Sequence, residues 1–480
     1  MNAEELAFLS CAEQGRLIRE RRLSPVELVQ VYLDRIRRWD GKLRSYITVC
    51  EESALREARA AEAEIAKGRY RGPLHGLPYG VKDQIHVKGV PTTLGTRVLR
   101  PEEMMPDHDA TVIERLREQG AILLGKHNLH EFGKGGTIDF PYGQPRNPWN
   151  LAHTPSSSSS GSGIAPAAGL CSFALGEDTG GSIRGPASCN GVVGMRPTYG
   201  RVSRYGGVME SYTSDTIGPL TRTVADCALV LEAIAGHDPR DPLSSARPVP
   251  RYVDHLRSDL RGMTLAVVRE IAWARHVHPE VVDAMRRAIA VLRDLGAAVE
   301  EVSLPYVKFA VPLQLLTADA DVATMFLRKY LRTRWDAFDR GTRTRLAAAC
   351  LVPATVYNRA MRARVIVRRQ VLDALRVYDG LLSPTTVTPP KRIEAMQEKV
   401  ESVEDVATRL IERRISTYPF SLSNVPTISV PAGFSTDGLP LALQIAGRPF
   451  GEAVVLRIAH AYEQATPWHT RHPDLSRTAA

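Results

Sequence analysis

The chain has 480 residues, 44% of them hydrophobic and 24% charged, with a formal net charge of +9 at pH 7. That length supports a large core and that balance is ordinary for a globular enzyme; no apolar run is long enough for a helical membrane span, so no membrane association is expected. The basic residues are spread along the chain, with an excess between Arg328 and Arg376 that reads as solvated helix faces, so no nucleic-acid partner is expected.

The six cysteines form no CxxC pair or zinc spacing, and the first residues, MNAEELAFLS, are acidic first and lack a long apolar stretch. A secretory signal is not expected, and a reducing cytoplasm fits the cysteines best. Ser24-Pro25-Val26-Glu27 opens a helix: serine caps, proline fits the first turn, and the glutamate can close a capping box. Leu28, Val29, Tyr32 and Ile36 give it an apolar stripe. A second, alanine-rich helix runs from about Glu52 to Ala66. After Arg71 the pattern becomes strand and helix in alternation. An alternating strand, Leu77–Val81, delivers Lys82; a helix near Ala110–Glu118 leads through Gly120 to the strand Ala121–Leu124.

Residues 120–127 mimic a phosphate-binding loop, but the middle four are strand-like and no serine or threonine follows Lys126. His127 and His130 lack the HExxH spacing and a third ligand, so neither metal nor cofactor is expected. Next come two loops of small residues. The first holds five serines, Ser156–Ser160, then Gly161, Ser162 and Gly163; the second is Asp178-Thr179-Gly180-Gly181-Ser182-Ile183-Arg184. The apolar stretch between them predicts a buried helix and a short strand. Further strands are expected at 264–269, 297–302, 379–384, 426–431 and 439–446. Helices are expected at 279–295, through the arginine-rich stretch 312–377, and at Glu452–Gln464.

Two glycines before Ser182 let the backbone turn sharply and bring amide N–H groups beside a hydroxyl, which suits acyl transfer. By itself Gly-Gly-Ser is more often a plain turn. A serine from the first loop can return beside Ser182, because a helix and a strand lie between them. Lys82 ends an apolar strand, where a lysine either snorkels to solvent or, if buried, loses its proton and serves as a base.

With these pieces the chain resembles the amidase signature family of serine hydrolases. The matching text is GVKD at 80–83, RNPWNLAHTPSSSSSGSG at 146–163, ALGEDTGGSIRGPASCNGVVGMRPTYGRVSRYG at 174–206, DTIGPLTRTVAD at 215–226 and PTISVPAGFSTDGLPLALQIAGRPFGE at 426–452. The resemblance implies a Ser–cis-Ser–Lys triad of Ser182, Ser158 and Lys82. It implies an oxyanion hole from the N–H groups of Thr179, Gly180, Gly181 and Ser182, with Ser159, Asp178 and Arg184 in support. This chain has Ser156, Ser157 and Ser160 where the family usually has glycine, so Ser157 and Ser159 stay open as alternative bridges.

The implied fold is a single α/β/α domain over residues 1–480 with a central mixed, mostly parallel sheet flanked by helices. Within it, residues 1–70 form an N-terminal helical layer, 71–240 the catalytic core and 305–378 a variable helical substrate-pocket region. The implied activity is hydrolysis of a small-molecule carboxylic amide, aryl amide and carbamate included, through an acyl-enzyme; a homodimer is left open. The alternatives are the glutaminase subunit of an aminoacyl-tRNA amidotransferase and a catalytically inactive binding protein on the same fold.

Overall fold

The computed structural model describes residues 1–134, 140–397 and 402–477. Its strands are β1 Tyr46–Val49, β2 Pro78–Lys82, β3 Ile122–His127, β4 Phe173–Asp178, β5 Val193–Arg196, β6 Thr216–Thr221, β7 Thr264–Val268, β8 Ala298–Val302, β9 Gly380–Pro384, β10 Thr427–Phe434 and β11 Pro440–Ala446. All belong to one sheet, in the order β1-β3-β2-β4-β6-β5-β10-β11-β9-β7-β8.

The sheet is mixed and helices pack against it. Pairing is parallel across β3–β2–β4 and across β9–β7–β8. It is antiparallel at the β1 edge and through the middle, from β4 across to β9. Connection length explains the difference. Residues 435–439 join β10 to β11, a link too short for a parallel crossover, whereas the helix Pro279–Asp294 carries the chain from β7 to β8. Strands β2, β3 and β4 are buried along their whole length, which is why they read as apolar runs; the alternation expected of Leu77–Val81 is absent because neither face meets water.

The N-terminal layer contains the two helices expected, at Pro25–Leu43 and Glu51–Ala66. Ser24 Oγ accepts from the amides of Val26 at 3.0 Å and Glu27 at 3.4 Å, and donates to Glu62 at 2.5 Å. The reciprocal bond expected from Glu27 is not formed. A strand also lies in this stretch: the chain turns at Arg44 in the left-handed region, φ 55°, and Tyr46–Val49 pairs with β3. A four-residue β-branched and aromatic run between two helices is too short for periodicity to reveal.

The parallel register of β2 and β4, with Val81 opposite Leu175, brings the carboxyl ends of both strands side by side. In open α/β sheets that is where crevices form. The serine-rich helix Ser160–Ala167 lies over this end. It is stitched down by Ser162 Oγ, which donates to the Leu175 carbonyl at 2.9 Å, and by the Gly161 amide, which donates to the Asn128 carbonyl at 2.9 Å. A Cβ on Gly161 would sit 2.1 Å from the Ser45 carbonyl oxygen and 2.7 Å from the Asn128 amide nitrogen. Gly161→Ala should therefore destabilise the protein by about 1–3 kcal/mol through overpacking against fixed backbone. A thermal melt matching wild type would show that the helix can move away at no cost.

Candidate active site

Lys82 is the last residue of β2, and its side chain is fully buried. Nζ lies 2.8 Å from Ser158 Oγ and 2.9 Å from Glu177 Oε2, on the neighbouring strand β4. Glu177 is buried as completely as Lys82, and its second oxygen accepts from Thr179 Oγ1 at 2.9 Å. Glu177 is not marked out by any motif in the sequence, where the adjacent Asp178 opens the glycine loop. The signal available was a carboxylate inside the otherwise apolar strand FALGED, a placement that demands a buried partner.

The serine loop contributes through one residue at a time. The Ser157–Ser158 peptide is cis, and Ser156 holds φ 65°. Of the three serines left open as the bridge, Ser158 is the one whose hydroxyl meets Lys82. Ser159 Oγ instead donates to the Glu177 carbonyl at 3.1 Å and accepts from the Glu177 amide at 3.3 Å, which fixes the loop to β4. Ser157 lines the neighbouring cavities.

The second loop is folded around Asp178. Its Oδ1 accepts from the Gly181 amide at 2.7 Å, and its Oδ2 from the amides of Ile183 at 3.1 Å and Arg184 at 3.4 Å. Arg184 adds two bonds, Nη2 to Oδ1 at 3.0 Å and Nε to Oδ2 at 3.1 Å. Arg196, on β5, reaches Oδ1 at 3.3 Å and was not anticipated from sequence. Burial works against the carboxylate, but Arg184 and Arg196 outweigh it and hold its pKa well below the usual range. The Arg184 guanidinium also donates to Gln444 Oε1 at 2.8 Å and Ser421 Oγ at 2.6 Å, tying the loop to the C-terminal third of the chain.

Ser182 follows this turn and is almost buried, at 8% exposure. Its carbonyl accepts from the Ser159 amide at 3.2 Å, so the two loops touch at the backbone. Ser158 and Ser182 line one small pocket with Thr179 and Gly180. The Gly181 amide is committed to Asp178. Among the described residues no acceptor meets the amides of Thr179, Gly180 or Ser182. A serine hydroxyl at a sharp turn, a second hydroxyl held by a buried lysine and free backbone donors are the parts that acyl transfer needs.

The same pocket holds charges that no local pattern in the chain brings together. Glu210, Lys134 and Arg345 line it. Lys134 Nζ is 3.5 Å from Glu210 and 3.7 Å from Asp319, and Arg345 grips Asp319 at 2.5 and 2.7 Å. Burial raises the Glu210 carboxyl to about 7; Lys134 opposes the rise and the nearby Glu177 adds to it. Asp215, behind Glu210, is raised for the same reasons, by burial and by the charges of Glu177 and Glu210.

A family model described as Amidase matches residues 27–456. A curated relative, a glutamyl-tRNA(Gln) amidotransferase subunit from Moorella thermoacetica, is 41% identical, covering 98% of this chain and 99% of its own. Among solved structures, a bacterial aryl acylamidase belonging to the amidase signature enzymes superposes with a TM-score of 0.87 at 28% identity, covering 96% of this chain and 97% of that one. The peptide amidase of Stenotrophomonas maltophilia gives 0.82 at 32% identity, covering 95% and 96%.

The Glu210 carboxyl is neutral below about pH 7 and negative above it. A negative charge in the pocket opposes the charge that develops at Ser182. Labelling of Ser182 by a neutral fluorophosphonate should therefore lose rate as pH rises through about 7, and Glu210→Gln should remove that bend. Superimposable pH–rate profiles for the two proteins would show that Glu210 is not felt at the serine.

Proposed function

The chain belongs to the amidase family, and from that premise we propose that it hydrolyses a carboxylic amide through an acyl-enzyme on Ser182. The observation that carries this reading is the contact of the buried Lys82 amine with Ser158 Oγ, at 2.8 Å, in the pocket that Ser182 lines.

In the proposed reaction the Ser182 hydroxyl passes its proton to Ser158, and Ser158 passes its own to Lys82. Ser182 Oγ bonds to the amide carbon, and the carbonyl electrons move onto oxygen. The free amides of Gly180 and Ser182, with that of Thr179, receive the oxyanion; Gly181 serves the loop instead, through Asp178. The C–N bond then breaks, and the leaving nitrogen takes a proton back through Ser158. Water attacks the ester by the same route and releases the acid.

A lysine can accept a proton only from its uncharged state. Glu177, buried with Lys82 and 2.9 Å from it, holds the amine against Ser158 and is in this reading a positioning residue.

The sequence alone placed a stand-alone amidase ahead of an amidotransferase component. The relatives reverse that order: the 41% identity over nearly the whole chain supports a subunit that releases ammonia from glutamine and works with protein partners. Ammonia release from glutamine, measured beside a panel of anilides and primary amides, separates the two. Rapid anilide turnover with no action on glutamine would remove the amidotransferase reading.

Ser182→Ala should abolish covalent capture by a fluorophosphonate, and Lys82→Ala should lower turnover by about 10⁴-fold or more, as losses of groups acting as one unit do. Near-normal turnover in Lys82→Ala would refute the base assignment. Glu177→Gln keeps an acceptor for Thr179 but removes the charge facing Lys82, and it should lower turnover by about tenfold or more while Ser182 still labels. Turnover matching wild type would show that Lys82 does not depend on Glu177.

A further inference from the structure

Next to the pocket over Ser182 lies a second, larger cavity of about 420 Å³. The pocket over the serine itself offers about 30 Å³, room for roughly one or two waters. The larger cavity falls within the range of small-molecule sites. The two share Ser157 and Arg414 as a common wall, and Gly181, the residue before Ser182, lines the larger one. The bulk of any substrate whose carbonyl reaches Ser182 therefore has this space to occupy.

The wall chemistry is polar and cationic. Lys391, Arg413 and Arg414 face the cavity, and none has a carboxylate within ion-pair reach among the described residues. Arg409, on the same wall, is held by Asp405 at 2.6 Å, and Glu412 is the carboxylate on this lining. Arg414 stacks its guanidinium over Tyr418, 5.6 Å from the ring centroid, and Tyr418 itself lines the pocket over Ser182. Arg413 is crowded by protein, yet the residue stays exposed on the cavity wall. That crowding, with the like charge of Arg414 beside it, lowers its pKa to about 10. Two adjacent, uncompensated guanidiniums repel one another, and a bound anion relieves that repulsion. Their planar forks match a carboxylate.

We propose that this cavity is the acyl compartment of the site and that it receives a substrate carrying a carboxylate, held by Arg413 and Arg414. The proposal rests on the reading of Ser182 as nucleophile and deepens it by naming the substrate class: an amide whose acyl chain ends in an acid group.

Two measurements test it. The first reads occupancy without turnover: glutarate titrated calorimetrically into Ser182→Ala protein. Glutarate should bind, and Arg413→Met in the same background should weaken it by at least about tenfold, the loss expected of a charged hydrogen-bonded contact. Valeramide, of the same length and uncharged, should give no heat. No glutarate binding, or equal affinity in both proteins, overturns the proposal.

The second uses the otherwise intact enzyme. The kcat/KM for glutaryl p-nitroanilide divided by that for valeryl p-nitroanilide should fall at least about tenfold in Arg413→Met and partly recover in Arg413→Lys. An unchanged ratio overturns the proposal even if glutarate binds, because the cavity then holds a free anion and not the substrate. Glutarate binding that depends on Arg413, in a protein whose Ser182 never labels, would support the compartment and break the catalytic reading instead.

Discussion

Asp178 is a carboxylate wholly removed from water, and the loop that carries Ser182 takes its shape from the need to satisfy it. An unpaired buried charge costs several kcal/mol, so three backbone amides and two guanidiniums converge on its two oxygens. The consequence is geometric. With the amides of residues 181, 183 and 184 turned inward, the chain between them must bend outward, and Ser182 stands at that bend. The two arginines belong to different layers. Arg184 follows the loop and reaches Gln444 and Ser421, whereas Arg196 sits at the end of β5. The position of one serine is thus coupled to strands far along the chain.

Lys82 and Glu177 meet by a related necessity. Both lie at the ends of neighbouring parallel strands that have no solvent on either side, so each polar terminus must find its partner within the sheet's own edge. The serine loop completes the arrangement. Ser159 and Ser162 spend their hydroxyls on backbone carbonyls of β4, which anchors the loop and leaves Ser158 as the one that faces the amine. Five serines in a row look alike as text; hydrogen bonding separates Ser158, Ser159 and Ser160, whose hydroxyls meet Lys82, Glu177 and the Ser156 carbonyl.

The helical segment between β8 and β9 brings charges to the pocket over Ser182, through Arg345 and its partner Asp319, while burial raises the Glu210 carboxyl that faces them. On the far side of Ser157 the helix Val403–Arg414 presents Arg413 and Arg414. The centre is therefore flanked by two chemically different walls, one with charges largely paired and one with cations in excess. Such a division suits a site that must hold a polar substrate in one direction.

Much of this molecule was legible in its text. The strand ahead of Lys82, the glycine turn before Ser182, the helix Glu452–Gln464 and the mixed α/β layering follow from periodicity and turn chemistry, which act over a few neighbouring residues. The edge strand Tyr46–Val49 escaped because so short a run carries no period. Glu177, Arg196, Glu210 and the cavity arginines escaped for another reason: what matters about a charge is what faces it, and neither the partners Lys82, Asp178 and Lys134 nor the open cavity wall is part of a local pattern. Local order along the chain determined which groups could do chemistry. Only the packing of β2 against β4, and of the C-terminal helices over the serine loop, decided which of those groups are buried, which are paired and which stay free, because burial and pairing are properties of a folded surface and not of neighbours in sequence.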